Sequence, residues 1–580
     1  PNAFPEQLDE VSLWQPKRQF YNTSWWAYGG RVQFERADKS KMIALESNPL
    51  DFLLGRTNEE VASKSRSQHK SQGFGSSPSL GSQTEYLELI NGGNPSNSNP
   101  LDEIDTTWGR VKGASEIQNK VNTLITNFDL EKPYKSVPSL ASLYRDISKL
   151  DDNYWKAIKL KEVSGLIQSC LALRLQFNIF KETGVVKTSL PTQLLILNSS
   201  PIEIKLEKID GAINLEISKK LIQNQPWESR QNYQIPNEIS TPYWLLKDGD
   251  LGNYYVQDES LKGLAETPNP IKVRFHVIIN NTHIPIQVPL KYKTTDRVAG
   301  EVLQNFQILP KATVQLKDKV ILFQKDNIKK VSLQVRAHIQ NFKGYVTLKV
   351  PKNWDFFPKK QDVEIDRAGA VKEFIFSVTP PKGNNTGILS GLVSDGVRDY
   401  NMILEEIEYP HISKQFMLSP NKTIASKIDL KSKVSKVAYL KGAGDKVAES
   451  LRNIGITVAE FEIDELRLEN LLNYPALIIG IRAFNVHKEL AFKNQILWDY
   501  ANQGGTVIIQ YNTSRGFDSS IASPYLIKIS RDRVTDENAD VSFLKKDHPL
   551  LNEPNKITEE DFKGWVQERG LYFANDWDSK

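Results

Sequence analysis

Hydrolytic chemistry in this chain would fall to its histidines, its carboxylates or its cysteine, so their spacing comes first. The 580 residues hold 7 histidines and 1 cysteine. A zinc ion that activates water needs three protein donors and an open fourth position. No two of the histidines lie three or four apart. His548-Pro549 is followed by Leu550 and Leu551 rather than by a carboxylate pair. His276 and His283 share a strand region, but no carboxylate is spaced to join them. A single cysteine excludes an internal disulfide and any CxxC site. Cys170 lies within an apolar helical pattern, where a small thiol serves as core.

Binding chemistry has more candidates. In "RSQHKSQGFG" (Arg66–Gly75), helical spacing puts Ser65, His69 and Gln72 on one face and Lys64, Gln68 and Ser71 on the next. Of the nearby residues only Val61 and Ala62 are apolar, so this helix is either a solvated surface or the wall of a polar site. Arg18, in the aromatic stretch "WQPKRQFYNTSWW", suits a sugar hydroxyl or an oxyanion, and equally a surface ion pair. Trp25 and Trp26 are adjacent; on a strand one would face in and the other out, free to stack on a sugar ring. Tyr243, Trp244, Tyr254 and Tyr255 cluster around a Gly-Asp turn in "TPYWLLKDGDLGNYYV". Rigid rings on a β scaffold suit sugar stacking, and they also fill cores.

The elements that must position these residues change rhythm along the chain. Residues 1–135 read as irregular α/β. "TNEE" (Thr57–Glu60) is a capping box, opening a helix expected to run to about Gln72 with Gly73 as its left-handed cap. "GGNPSNSNP" (92–100) is a loop by composition. Residues 136–183 read as a helical hairpin, with "SLASLYRDISKL" and then a helix from Tyr154 through Glu182. From 184 to 412 the period is two. Val273, Phe275, Val277 and Ile279 share one face, as do Val331, Leu333 and Val335, and Phe374, Phe376 and Val378. This predicts two antiparallel β-sandwiches, 184–302 and 303–412. From 413 to 580, apolar strands ("KVAYL", "ALIIGI", "TVIIQYN") alternate with amphipathic helices, predicting a parallel, doubly wound α/β domain.

Composition narrows the partners. A net charge of +4 without a dense Lys/Arg block gives no reason to expect nucleic acid. No apolar run reaches the ~18 residues of a membrane-spanning helix. Eleven Trp, 20 Tyr and 24 Phe suit carbohydrate-facing or β-rich domains.

"WQPKRQFYNTSWW", "SRSQHKSQGFG", "EYLELI" and "DTTWGRVKG" together resemble large Bacteroidetes-type members of the LmbE/PIG-L family, zinc-dependent N-acetylglucosaminyl-type deacetylases. The order of domains continues the resemblance along the chain. Lys64, His69, Ser71 and Gln72 match the family's late Lys…His-x-Ser-Gln pattern. The resemblance implies that 1–135 is the carboxyl-terminal remnant of a deacetylase domain and that zinc belongs to a parent protein. Its His-Pro-Asp-Asp and His-x-x-His segments are not in this sequence. The expected partners are therefore a glycan and the missing amino-terminal part of the catalytic domain, with no cofactor in the chain itself and export to the periplasm or secretion. Arg18, Trp25, His69, Gln72, Tyr243 and Trp244 become candidate substrate contacts, and no catalytic residue is assigned. The last domain resembles glutamine amidotransferases of class I. Its strand-end turn "IIGIRAFNVH" offers Arg482 and Asn485 but no Cys nucleophile, so it is expected to be non-catalytic. The alternative is a stand-alone carbohydrate-binding multidomain module.

Overall fold

Alternating burial along the middle of the chain builds the scaffold. The computed structural model describes residues 3–9, 11, 13–95, 99–247, 249–250, 252–324, 327–409, 412–563 and 570–577. Parts of the loop expected at 92–100 and of the Gly-Asp turn, His411, and residues 578–580 lie outside them. Two compact units result. One is Pro1–Ala172 with Ser200–Ile202 and Ile279–Thr282, and the other is the remainder.

In the first unit, strands Arg18–Thr23, Thr84–Gly92 and Met42–Glu46 form an antiparallel sheet with Thr84–Gly92 in the centre. The capping box is formed: the Thr57 hydroxyl accepts from the Glu60 N–H, and the Glu60 carboxylate accepts from the Thr57 N–H at 2.7 Å. The helix it opens stops at Arg66, short of the expected Gln72. Serines tie the returning chain to this end: the Ser63 hydroxyl donates to the Ser76 carbonyl, and the Ser67 hydroxyl accepts from the Ser76 N–H. A short 3₁₀ turn, Lys70–Gln72, follows and ends on Gly73 at φ 65°, the left-handed cap expected there. Helices Val137–Ser148 and Asn153–Cys170 form the helical pair.

The second helix was expected to reach Glu182, but the chain turns at Ala172 (φ 46°) and Arg174–Ile179 is a strand. Phe177, Asn178 and Ile179 are buried there, because the segment lies between two other strands of a large sheet. Tertiary pairing has overridden a weak helical pattern.

The second unit begins with that sheet. Its eight strands run Leu215–Lys220, Ile204–Gly211, Lys272–Ile279, Thr282–Asp296, Arg174–Ile179, Ser189–Leu197 and Trp227–Gln234, with Gly300–Asn305 paired off Thr282–Asp296. All of these strands lie in one continuous hydrogen-bonded sheet. The 15-residue strand Thr282–Asp296 causes this. It neighbours Lys272–Ile279, and at Leu290–Tyr292 it pairs in parallel with Phe177–Ile179.

Next come two separate sheets, one of four strands and one of six, with a common core. Phe323, Leu333, Val346, Val363 and Phe376 are fully buried in it, each contributing about 2 kcal/mol by burial. Trp354 sits at its edge, where its indole N–H donates to the Asn385 side chain at 2.7 Å. This region extends past residue 412, since Thr423–Ile428 is a strand of the six-stranded sheet.

The chain then forms a four-stranded parallel sheet in the order Thr457–Phe461, Lys436–Leu440, Ala476–Ile479, Thr506–Ile509, with helices between the strands. The protein thus belongs to the mixed α/β plus β-sandwich class.

Candidate functional site

The candidate residues of the first unit do not converge. Arg18 is committed to the backbone. Its Nε donates to the Gly93 carbonyl at 2.8 Å, its Nη1 to the carbonyls of Pro100 (3.3 Å) and Asp102, and its Nη2 to Glu103 at 3.4 Å. It fastens Gly93, Pro100, Asp102 and Glu103 to the start of its strand. Trp25 and Trp26 lie in a turn after that strand, not on it, and their rings stack on each other at 3.9 Å. His69 is exposed, its Nδ1 3.1 Å from the Arg66 carbonyl, and Gln72 is exposed on the 3₁₀ turn. With the helix broken at Arg66, Ser65, His69 and Gln72 no longer share a helical face.

Tyr243 and Trp244 belong to the second unit and divide their roles. Tyr243 is buried; its hydroxyl donates to the Leu264 carbonyl at 3.0 Å, and its N–H to the Thr267 hydroxyl at 2.9 Å. Trp244 stands edge-on against it and is half-buried, lining a cavity of about 460 Å³. That volume falls within the ~300–1,000 Å³ usual for small-ligand sites. Tyr254 and Tyr255 do not line it; Tyr255 instead donates to Asp250 at 2.6 Å.

Segments far apart in sequence build this cavity. Tyr233 comes from the last strand of the eight-stranded sheet, Phe306 from the link after Gly300–Asn305, and Phe416 from the strand Gln415–Pro420. Pro236, Pro242, Pro268 and Pro270 stand on its walls. Their fixed φ angles limit the freedom of the loops that carry them. Ser240 holds one wall to the floor: its N–H donates to the Ile308 carbonyl at 2.9 Å, and its hydroxyl accepts from the Ile308 N–H at 2.8 Å. Asn269 holds the opposite wall, donating to the Leu290 carbonyl at 2.6 Å. Under the floor, Phe306 lies on Gly184, where an added Cβ would meet the ring at 2.4 Å.

The charged side chains lining the cavity are Glu238 and Glu266. Glu266 accepts from the Asn305 amide at 2.9 Å, and the other end of that amide accepts from Lys291 at 2.6 Å. Burial, with the Glu238 charge second, raises the Tyr233 phenol above its ordinary value, so it stays a neutral donor. The sequence signals that bear on this site are the paired prolines of "PNEISTP" and "TPNP", which mark stiff loops; Tyr233, Phe306 and Phe416 carry no local motif.

No family model and no curated protein matches the chain. Solved structures similar in part include a protein of unknown function from Porphyromonas gingivalis (8% identity, TM-score 0.13, over 44% of this chain and 98% of that one). Others are Salmonella alpha-2-macroglobulin reacted with methylamine (9%, 0.16, 44% and 16%) and the Pseudomonas fluorescens alkylpurine DNA glycosylase AlkC bound to DNA (11%, 0.12, 29% and 50%). Likenesses at these scores carry no argument about this chain.

The donors present do not suit hydrolytic zinc. Among the described residues no three His, Cys, Asp or Glu side chains are grouped to hold a metal ion. His276 and His283 do meet, and carboxylates absent from their own strands join them. His276 Nε2 is 2.8 Å from Asp210, its Nδ1 is 2.9 Å from His283 Nε2, and Glu207 lies 3.7 Å from that same nitrogen. Both nitrogens of His276 are thus engaged in a hydrogen-bond chain. No hydrolytic step is derived from it.

In the parallel sheet, Arg482 occupies the strand-end turn at φ 55°, its guanidinium 5.8 Å from the Tyr511 ring. Asn485 is tied to Thr513 in both directions, and His487 Nε2 lies 2.8 Å from the Lys441 carbonyl. Asp445 sits between the ends of strands Lys436–Leu440 and Ala476–Ile479, accepting from the Tyr439 hydroxyl (2.6 Å), the Val447 N–H (2.9 Å) and the Ile481 N–H (3.2 Å).

Proposed function

We propose that this chain is the glycan-holding, non-catalytic part of a sugar N-deacetylase of the LmbE/PIG-L type, with the zinc ligands supplied by sequence outside these 580 residues. One observation carries the glycan reading: a stiff-walled cavity of about 460 Å³ with the Trp244 ring on its wall. A sugar ring has one face of C–H groups and a rim of hydroxyls. The rings of Tyr233, Trp244 and Phe416 offer apolar surface to such a face at little cost in side-chain entropy. Gln307 and Gln415 offer amide groups for the rim. Binding through stacking and neutral hydrogen bonds asks for no reaction, and the chain's role is to hold the glycan.

The deacetylase context rests on the sequence resemblance. It is tested by reading the coding sequence upstream of Pro1. His-Pro-Asp-Asp and His-x-x-His segments are expected there; an uninterrupted frame of a few hundred codons without either would leave a stand-alone carbohydrate-binding module. The binding itself is tested by titrating the chain with a trimer of N-acetylglucosamine while following tryptophan fluorescence. Saturable quenching that disappears in Trp244→Ala is expected.

A further inference from the structure

We infer that the cavity beside Trp244 prefers a sugar bearing a free, protonated amine to the same sugar with that amine acetylated. This deepens the glycan reading above and rests on it. The observation is the sign of the charge. In a chain of net charge +4, the charged side chains lining this cavity are Glu238 and Glu266, both acidic.

Cations flank the cavity without lining it, and Lys272 and Lys291 share an adjacent recess with Glu266. Lys291 stands behind Asn305, to which it donates at 2.6 Å, and it reaches Glu266 only through that amide. Lys414 lies over the Phe416 ring but is paired with Glu406 at 2.9 Å and Glu182 at 3.4 Å. The Tyr233 phenol is neutral, for the reason already given. A ligand entering here meets two exposed carboxylates next to aromatic faces. Both attract an ammonium group: the carboxylates by charge, the rings through their quadrupole. Acetylation removes the charge and two of the donors, leaving the carboxylates only neutral N–H and O–H donors to pair with. Under the proposed function the preferred ligand is the product of N-deacetylation rather than its substrate, and the cavity would retain a glycan after the amide bond is cut.

The test titrates the whole chain, at a pH of about 6 where an amine of this kind is charged, with trimers of glucosamine, of N-acetylglucosamine and of glucose, and with trilysine. The glucosamine trimer is expected to bind at least tenfold more tightly than the acetylated one. The Glu238→Gln/Glu266→Gln double variant should reduce that ratio below threefold. Gln keeps the side-chain shape, and an unaltered circular dichroism spectrum confirms that the variant is folded. Equal binding of both amino-sugar trimers would overturn the amine preference and leave the glycan reading standing. Trilysine binding as tightly as the glucosamine trimer would overturn the sugar and leave a cation site. Failure of every sugar trimer to bind would remove the glycan reading itself.

Discussion

The Tyr243 and Trp244 rings meet edge to face, with centroids 4.9 Å apart and planes at 90°. This contact places one of two neighbouring aromatics beneath the other, which stands on the cavity wall. Tyr243 is anchored below by its bond to the Leu264 carbonyl, and Trp244 is held upright against it at the cavity wall. Tyr243→Phe removes one buried hydrogen bond and should cost about 1 kcal/mol of stability with glycan affinity retained. Trp244→Ala should weaken trimer binding by roughly tenfold or more, since about 1.4 kcal/mol of stacking corresponds to that factor. Thermal unfolding and calorimetric titration of the two variants separate the effects.

The floor predicts a different failure. A methyl at residue 184 would meet Phe306 at 2.4 Å and Leu190 at 3.1 Å. Phe306 is itself buried, so the ring cannot swing into solvent. Gly184→Ala should cost about 1–3 kcal/mol through overpacking and should lower trimer affinity by displacing the floor. Unchanged stability would mean that the ring does not rest there.

The hydrogen-bond chain Asp210–His276–His283 makes a prediction about metal. With the imidazoles engaged with one another and with Asp210, dialysed protein should carry well below one zinc per chain. His276→Gln should lower stability without changing metal content. A tight one-to-one zinc lost in His276→Gln would overturn the account of the donors, and metal analysis of both proteins decides it.

Acid should loosen the region of the four- and six-stranded sheets in two steps. Burial, helped by the Arg336 charge, holds His338 down to about 4. The unfolded chain therefore takes up this proton first, and stability is lost as pH falls from about 6.5 to about 4, by up to about 3 kcal/mol. Asp395 follows. Burial alone would raise its pKa, but the Lys311 ammonium at 2.7 Å and the N–H groups of Val397 and Arg398 outweigh burial and bring it to about 2. Its contribution of about 2 kcal/mol is full above about 4 and lost as pH falls toward 2. Hydrogen exchange of the Lys329–Ala337 amides, corrected for intrinsic rates, should show both steps. His338→Gln should remove the first and Asp395→Asn the second.

The sequence was most legible where one local rule decided the structure. The buried faces of Val273, Phe275 and Val277, and of Val331, Leu333 and Val335, follow from a period of two. The parallel sheet follows from continuous apolar strands, and the Thr57–Glu60 cap from two side chains in adjacent turns. Long-range pairing was not legible. Arg174–Ile179 reads as the end of a helix until its partner strands are placed on either side. The cavity was half legible: Trp244 stood out as an aromatic in a loop, while Glu238, Glu266, Phe306 and Phe416 meet it only through the fold. Asp210 and His276 likewise are 66 residues apart and have no shared pattern. Arg18 and His69 were conspicuous by type, yet the structure gives them backbone carbonyls as partners.

The central claim is that the cavity beside Trp244 holds a glycan, and calorimetric titration of the chain with the amino-sugar trimers tests it most directly. The account predicts saturable one-to-one binding that Trp244→Ala abolishes or weakens at least tenfold. Absence of binding in the unaltered chain, or equal binding in Trp244→Ala, would contradict it.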